Sequence, residues 1–373
     1  MPTQTADPVA ALFQPFTVGR LTVPNRIVMA PMTRTHSPDG VPGADVAAYY
    51  ARRAEHGAGL IITEGTVVDH PASASSLAVP RIFGAAPLAG WARVVDAVHC
   101  AGGRIVLQLW HVGTDRKPGD LPNPGVPPVG PSGLSSSGEP VTAPMTQAQI
   151  DDVIAAFAQG AAEAERLGFD GVELHGAHGY LIDQFFWERT NRRSDRYGGD
   201  LAGRTRFAAE IVAACRRVVA KDFPIFLRFS QWKMDNYTAQ LAKTPAELES
   251  LLAPLVTAGV DAFHCSTRRF WLPAFPDSPL TLAGWTRKLS GRPTIAVGSV
   301  GLDGPEFLDS IRTGAVVGSG SLDSAVQLLE RGEADLVAAG RALLADPAWT
   351  AKIRDGRHGE LVPFHVQALG SLQ

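Results

Sequence analysis

Short apolar runs alternate with longer segments of mixed apolar and polar residues along nearly the whole chain. The short runs, such as GLIIT and RIVLQL, contain few polar residues, as expected of parallel strands that are buried on both faces. The pattern predicts eight strands, over Ile27–Met32, Gly59–Thr66, Arg104–His111, Gly171–Gly176, Pro224–Ser230, Ala262–Thr267, Pro293–Ser299 and Ala334–Gly340.

Segments with helical spacing lie between the predicted strands. Clear examples are Ala44–His56, Pro87–Ala101, Thr146–Leu167, Leu201–Val219 and Pro245–Ala258. Strands that alternate with helices are typical of βαβ units and a parallel sheet. Eight such units predict an α/β fold, a single (β/α)8 TIM barrel, because closure leaves no exposed sheet edge. An open doubly wound sheet is the alternative, but IVMAPMTRTHS after the first strand lacks its glycine-rich turn.

Two segments interrupt the alternation. Residues 10–26 predict a short N-terminal hairpin that closes the lower end of the barrel. Residues 112–145, after the third strand, are rich in glycine, proline and serine and predict a long loop over the upper end, where barrel active sites lie. We therefore expect residues 1–373 to form one domain.

Composition and charge narrow the function classes. The net charge of −3 gives no reason to expect nucleic acid or a membrane surface as a partner. The three cysteines are scattered, which argues against a disulfide framework or an iron–sulfur cluster. No signal-like start and no apolar run of about 20 residues is present, so we expect a cytoplasmic protein.

The segment Gly171–Tyr180 is the strongest candidate for chemistry, because an apolar strand ends there in His175, His178 and Tyr180. Two imidazoles can donate N–H groups to one carbonyl or phenolate oxygen and stabilise negative charge there. A tyrosine hydroxyl nearby can deliver a proton to an adjacent carbon. The alternative is a set of structural polar side chains at a strand end. A metal site would need a third ligand with recognisable spacing, and the sequence offers none.

The run HGAHGYLIDQFF, followed by NRRSDRYGGDLAGRTRF, resembles the signature of the old yellow enzyme family. The resemblance implies a barrel that binds FMN tightly without a covalent bond, is reduced by NADPH or NADH, and then reduces activated alkenes such as enals, enones, maleimides and nitroalkenes. It implies that His175 and His178 hold the substrate's oxygen, with His175 also beside the flavin. Tyr180 would protonate one alkene carbon after hydride transfer from flavin N5 to the other.

Further segments match the family in the same order. The stretch Ala30–Arg34 resembles the part that touches the flavin ring, so the resemblance implies contacts from Pro31, Met32 and Thr33. Thr33 would bond the flavin O4, although a plain strand-end threonine is the alternative. Gly65 would let the backbone approach the ring; otherwise it marks a tight turn.

Three residues within apolar strands are candidates for the flavin or the substrate. The resemblance implies that Gln108 bonds the pyrimidine edge of the flavin, and the cost of burying an amide without a partner independently draws attention to this residue. Trp110 would wall the substrate pocket or pack in the core. Arg228 needs a buried anionic partner, and the reduced flavin is an anion. The alternative partner for Arg228 is a neighbouring carboxylate.

The predicted ends of the seventh and eighth strands suggest a phosphate site. Gly298, Ser299, Gly340 and Arg341 combine backbone N–H groups with a guanidinium, and this end of a TIM barrel commonly binds phosphate. AGRALLADP also resembles the family.

Other features are less specific. Trp271 is a candidate for the substrate mouth, against simple loop packing. The chain departs from the family pattern at Thr114, where many members have arginine, and in Thr313–Glu333, whose path we cannot predict.

Three alternatives remain open. A related flavin barrel dehydrogenase would carry clustered cysteines and further domains. A flavin-free, phosphate-binding aldolase or isomerase fits the same fold, but no predicted strand contains a Schiff-base lysine. A scaffold protein without catalysis is the third. The expected partners are a small alkene and a nicotinamide; a homo-oligomer is compatible with the resemblance, but no interface can be identified.

Overall fold

The computed structural model describes residues 8–305 and 307–373, and a closed parallel barrel forms their centre. The barrel is built from β3 (Ile27–Met29), β4 (Leu60–Ile62), β5 (Thr66–Val67), β6 (Ile105–Trp110), β7 (Gly171–His178), β8 (Ile225–Lys233), β9 (Ala262–Ser266), β10 (Thr294–Val297) and β11 (Leu336–Ala339). Neighbours pair in parallel around the ring, and β3 joins both β11 and β4. The predicted (β/α)8 barrel is confirmed.

The second barrel position is split into β4 and β5, so the continuous strand predicted over Gly59–Thr66 is wrong. Both pieces pair with β6. Between them, the Glu64 carbonyl accepts hydrogen bonds from the Thr63 and Thr66 hydroxyls, and the Glu64 amide donates to Tyr50. These polar partners replace the regular ladder and interrupt the strand.

Helices surround the barrel. They are α1 (Ala44–Glu55), α2 (Ala85–Cys100), α3 (Gln147–Arg166), α4 (Leu181–Phe186), α5 (Leu201–Val218), α6 (Pro245–Ala258), α7 (Leu282–Ser290), α8 (Phe307–Thr313), α9 (Leu322–Glu330), α10 (Arg341–Ala345) and α11 (Trp349–Arg354). The five predicted helices agree with α1, α2, α3, α5 and α6 to within two residues at each end. No helix in the described part of the chain is long and apolar enough to cross a membrane.

Side-chain caps fix where the longest helices begin. Thr146 and Gln149 form a reciprocal capping box at α3, and the Asp200 side chain caps α5. Each cap satisfies backbone N–H groups that have no partner within the helix. The path between β10 and β11, which the sequence leaves open, contains the two short helices α8 and α9.

The N-terminal hairpin consists of β1 (Phe16–Val18) and β2 (Leu21–Val23), as predicted. Its buried side chains pack in one cluster with residues of the barrel strands, including Val28 and Phe226. At the turn, Gly19 has a φ of 55°, and a Cβ there would lie 2.4 Å from the Asp222 carbonyl oxygen. Apolar hairpin residues therefore close the lower end of the barrel, whereas the upper end can hold a ligand site.

The long loop between β6 and α3 is held at the upper end. The Thr114 amide donates to Gln184 of α4 at 3.1 Å, and the Thr114 hydroxyl donates to the Leu134 carbonyl. Arg116 is buried and donates to several backbone carbonyls, including that of Val126. Thr114 thus anchors the loop to the helix that follows β7.

We predict that Leu21→Ala destabilises the barrel more than Thr22→Ala. Leu21 is buried, so its truncation leaves a cavity that costs about 2–5 kcal/mol, whereas a change at exposed Thr22 stays within about 0.5 kcal/mol. Equilibrium denaturant unfolding measures both free energies. Equal stability of the two variants would contradict the closing role of the hairpin.

Candidate active site

A cavity of about 380 Å³ opens at the carboxyl ends of the barrel strands. This volume lies within the range of small-molecule sites, roughly 300–1,000 Å³. Most of the residues selected from the sequence line it, together with several that were not selected. This cavity is therefore the candidate active site.

His175, His178 and Tyr180 all line this cavity. The two imidazole rings lie perpendicular with centroids 5.2 Å apart, and the Tyr180 ring is 5.1 Å from that of His175. Residues three apart on a regular strand face opposite sides of the sheet. Here the β7–β8 register shifts between Gly176 and His178, and His178 adopts a φ of 68°. This irregularity turns His178 to the same cavity as His175.

Burial and charge keep both histidines neutral. Burial lowers the pKa of each well below its ordinary value, and the positive charge of Arg228 lowers both further. The His178 Nε2 shares a hydrogen bond of 2.8 Å with the Ser266 hydroxyl, and its backbone N–H donates to Ser230. Nδ1 of His175 has no hydrogen-bond partner within the described residues. Each neutral ring retains one N–H donor.

The Tyr180 hydroxyl remains protonated over the physiological range. Burial, with a smaller contribution from the Asp115 carboxylate, raises the pKa of Tyr180 to about 12. Its ring packs edge-on against Trp110, with centroids 4.9 Å apart. A protonated phenol next to two neutral imidazoles can donate a proton to a bound ligand.

Arg228 projects from β8 into the cavity and is buried. Its Nε has no hydrogen-bond partner, and no carboxylate forms an ion pair with it, among residues 8–305 and 307–373. Glu173 is near enough to raise the pKa of Arg228, although burial is the larger effect and lowers it. A buried guanidinium that faces a cavity without a direct counterion favours an anionic ligand.

A buried hydrogen-bonded chain lies beside Arg228, and the sequence analysis missed two of its members. Gln108 Nε2 donates to Glu173 at 2.7 Å, and the other Glu173 oxygen contacts His264 Nδ1 at 2.7 Å. Because Gln108 donates to Glu173, its amide is oriented by that carboxylate. The sequence does indicate Glu173, because Glu173 and His175 are polar residues two apart on an apolar strand and therefore lie on the same face of it.

The predicted phosphate residues only partly converge. Ser299, Gly340 and Arg341 line the cavity, and Arg341 Nη2 donates to the Ser299 hydroxyl at 3.3 Å. The sequence analysis missed Arg269, whose Nη1 donates to the same hydroxyl at 3.0 Å. Gly298 is not among the lining residues; a Cβ there would lie 2.5 Å from the Thr267 carbonyl oxygen.

Pro31, Met32 and Thr33 line the cavity as predicted, but Gly65 does not. A Cβ on Gly65 would lie 2.8 Å from the Trp110 ring, so this glycine permits close approach of the indole. Trp110 itself forms part of the cavity wall.

Trp271 is not among the lining residues either. It packs edge-on against Phe270, with centroids 5.0 Å apart, which agrees with the loop-packing alternative.

Strand β8 continues beyond its predicted end at Ser230 to Lys233, and this extension supplies the unpredicted lining residue Trp232; Met234, directly after the strand, also lines the cavity. The Trp232 and His178 rings lie 4.5 Å apart. The extension also contains Lys233, a lysine on a barrel strand that lies beyond the predicted strand end. Lys233 is fully buried, pairs with Asp183 at 2.7 Å and does not line the cavity. It is therefore not placed to act as a Schiff-base lysine.

Metal ligands are not clustered in the described part of the chain: no group of three His, Cys, Asp or Glu side chains there could hold a metal ion.

Residues 11–360 match the sequence profile of the NADH:flavin oxidoreductase / NADH oxidase family. An NADH oxidase from Thermoanaerobacter brockii is 35% identical over 362 residues, which are 94% of this chain and 52% of that protein. Flavin oxidoreductase hxnT from Emericella nidulans is 33% identical, over 94% of this chain and 92% of its own. The chain thus spans about half the length of the first relative and nearly all of the second.

Among solved structures, morphinone reductase in complex with tetrahydroNAD superimposes with a TM-score of 0.77 and 31% identity. The alignment covers 92% of this chain and 90% of that one. The barrel therefore shares its fold with a solved reductase.

We predict that His175 and His178 remain neutral at about pH 6, below the ordinary histidine pKa of about 6.5. Because the pKa of each is lowered, protonation begins only at more acidic pH. Imidazole ¹⁵N NMR, with assignments from His175→Gln and His178→Gln, distinguishes neutral from charged rings. Imidazolium signals for either residue at this pH would contradict the electrostatic description.

Proposed function

The chain belongs to the NADH:flavin oxidoreductase / NADH oxidase family, and on that premise we propose that it is an FMN-dependent ene-reductase. NADPH or NADH would reduce the flavin, and an activated alkene such as an enal, enone, maleimide or nitroalkene would then be reduced. A cavity that serves both substrates in turn implies ping-pong kinetics.

The buried charge of Arg228, beside an otherwise mostly apolar cavity, is the main support for this proposal. A flavin fits this environment, because its ring offers an extended apolar face and its pyrimidine edge carries negative charge when reduced. Within the described part of the chain, the Arg228 Nε–H group has no hydrogen-bond acceptor, and a flavin ring in the cavity would supply one. Gln108, oriented by Glu173, presents its amide oxygen as an acceptor for a ring N–H group.

The remaining cofactor roles follow from position. We assign Pro31, Met32 and Thr33 to the ring and Ser299, Gly340 and Arg341 to the phosphate, because these six residues line the same cavity. Gly65 and Gly298 would act indirectly, by allowing the close approach of the Trp110 ring and of the Thr267 backbone, respectively.

FMN held by these residues would supply the redox chemistry, which is hydride transfer between the nicotinamide and the alkene. The protein's part is to bind, polarise and protonate. His175 and His178, both neutral, donate hydrogen bonds to the carbonyl or nitro oxygen and stabilise the negative charge that develops there. Neutral donors suit this task, because protonated imidazolium groups would be repelled by the positive charge of Arg228.

Tyr180 completes the reaction by donating its hydroxyl proton to the alkene carbon next to the activating group. With a pKa of about 12, the phenol is fully protonated at neutral pH and available as a general acid. Solvent restores the proton afterwards.

Trp110 and the unpredicted Trp232 wall the substrate end of the cavity. Trp271, which packs against Phe270, contributes only through the loop. The single-domain organisation, the cytoplasmic location and the state of oligomerisation remain predictions.

A flavin-free aldolase or isomerase is the second candidate for this fold. Lys233, a lysine on a barrel strand near the cavity, has no exposed surface and forms an ion pair with Asp183. That arrangement favours the reductase.

We predict that Tyr180→Phe slows alkene reduction by about 10²-fold or more, which is the typical contribution of a general acid. Reduction of the flavin by NAD(P)H does not use this proton and should change little. Stopped-flow absorbance measures the two half-reactions separately. Phe83 is a partly buried aromatic residue that does not line the cavity. Phe83→Tyr is therefore a matched control for changing one hydroxyl group on an aromatic ring. Equal slowing of both half-reactions in Tyr180→Phe would contradict the assignment.

A further inference from the structure

Lys233 and Asp183 form an ion pair in the interior, with Nζ and Oδ1 2.7 Å apart and no exposed surface on either side chain. Neither residue lines the cavity. Burying two charges is costly, and apolar side chains of similar volume often replace such pairs without loss of stability. A contribution to stability therefore does not by itself explain why this ion pair is present, and its contacts indicate a different role.

The second oxygen of Asp183 holds the turn that carries the proposed proton donor. Oδ2 accepts the backbone N–H of Gly179 at 2.6 Å, and Gly179 lies between His178 and Tyr180. The Gly179 carbonyl accepts a hydrogen bond of 2.7 Å from the Gln184 side chain. Side chains of α4 thus fix the peptide groups on both sides of Gly179.

Lys233 connects this turn to the strand that carries Arg228. In the β7–β8 ladder Lys233 lies opposite His178, and the next residue, Met234, donates its N–H to the His178 carbonyl. Lys233 Nζ also donates to the Ser230 carbonyl at 3.4 Å. Through the ion pair, the turn is tied to β8 by side chains as well as by the backbone.

We propose that Asp183 and Lys233 are positioning residues that set the place of the Tyr180 hydroxyl relative to a substrate held at His175 and His178. The inference rests on the proposed alkene reduction. Since flavin reduction needs no proton from Tyr180, the pair matters for the alkene half-reaction and not for the nicotinamide half-reaction.

Two double variants of the holoenzyme separate positioning from general stability. Asp183→Leu with Lys233→Met removes both charges and the acceptor for Gly179 while it keeps the buried volume. Asp183→Asn with Lys233→Met removes the same charges but retains a side-chain oxygen that can accept the Gly179 N–H. If the leucine variant does not fold, Asp183→Ala with Lys233→Met takes its place.

We expect the leucine variant to oxidise its reduced flavin with an enone, such as cyclohexenone, about tenfold or more slowly, because small misplacements of a reacting group are costly. Its flavin reduction by NAD(P)H should stay within about twofold of the wild type, and the asparagine variant should recover most of the enone rate. In a Tyr180→Phe background the leucine variant should cause no further slowing.

Amide hydrogen exchange over residues 178–184 provides a readout independent of activity. Exchange should be faster in the leucine variant than in the asparagine variant, because only the former lacks the Gly179 acceptor. Unchanged exchange, equal slowing of both half-reactions, or the same slowing in a Tyr180→Phe background would overturn the positioning role alone. A wild-type holoenzyme whose reduced flavin is not oxidised by the enone would instead refute the proposed function, and this inference with it.

Discussion

The charge of Arg228, buried at the upper end of the barrel, is the constraint on which the site depends. Burial disfavours the charged form of this guanidinium, and Glu173, the carboxylate that raises its pKa, is hydrogen-bonded to Gln108 and His264. Burial lowers the pKa of both cavity histidines, and the same positive charge lowers it further, so both rings are neutral. An anionic ligand in the cavity would relieve the cost, which is why the site favours a flavin whose reduced form is an anion.

Closure of the barrel is what brings these groups together. Gln108, His175, Arg228 and Ser266 come from four different strands, and the parallel ladder places them around one cavity. The apolar hairpin fills the lower end, and the cavity with these polar side chains opens at the upper end. A buried charge is tolerated there because hydrophobic packing elsewhere supplies the stability of the domain.

The fold was predictable because buried parallel strands leave uninterrupted apolar runs, and eight such runs separated by helical segments leave few alternatives. Most site residues were also predictable, since a polar residue such as Arg228 or Gln108 at the end of an apolar run has few structural explanations. The resemblance to a known family added the roles of Pro31, Met32 and Thr33, which the residue types alone do not indicate.

The errors arose where tertiary contacts override local pattern. The break at Glu64 depends on hydrogen bonds from threonine hydroxyls and from Tyr50, which no periodicity reveals. The extension of β8 to Lys233 includes pairing with His178 and an ion pair with Asp183, 50 residues away in sequence, and local pattern indicates neither contact. Trp271 was selected because it is aromatic, yet only packing decides whether such a ring faces the cavity or a neighbour such as Phe270.

The reduction potential of FMN bound to the wild type and to Arg228→Met tests the central claim most directly. Loss of the buried positive charge should lower the potential by about 30 mV or more, equivalent to about 1.4 kcal/mol for a two-electron couple. Arg228→Lys should fall between the two, because it keeps the charge but not the planar group. An unchanged potential in Arg228→Met, or a wild-type protein that takes up no FMN, would contradict the account.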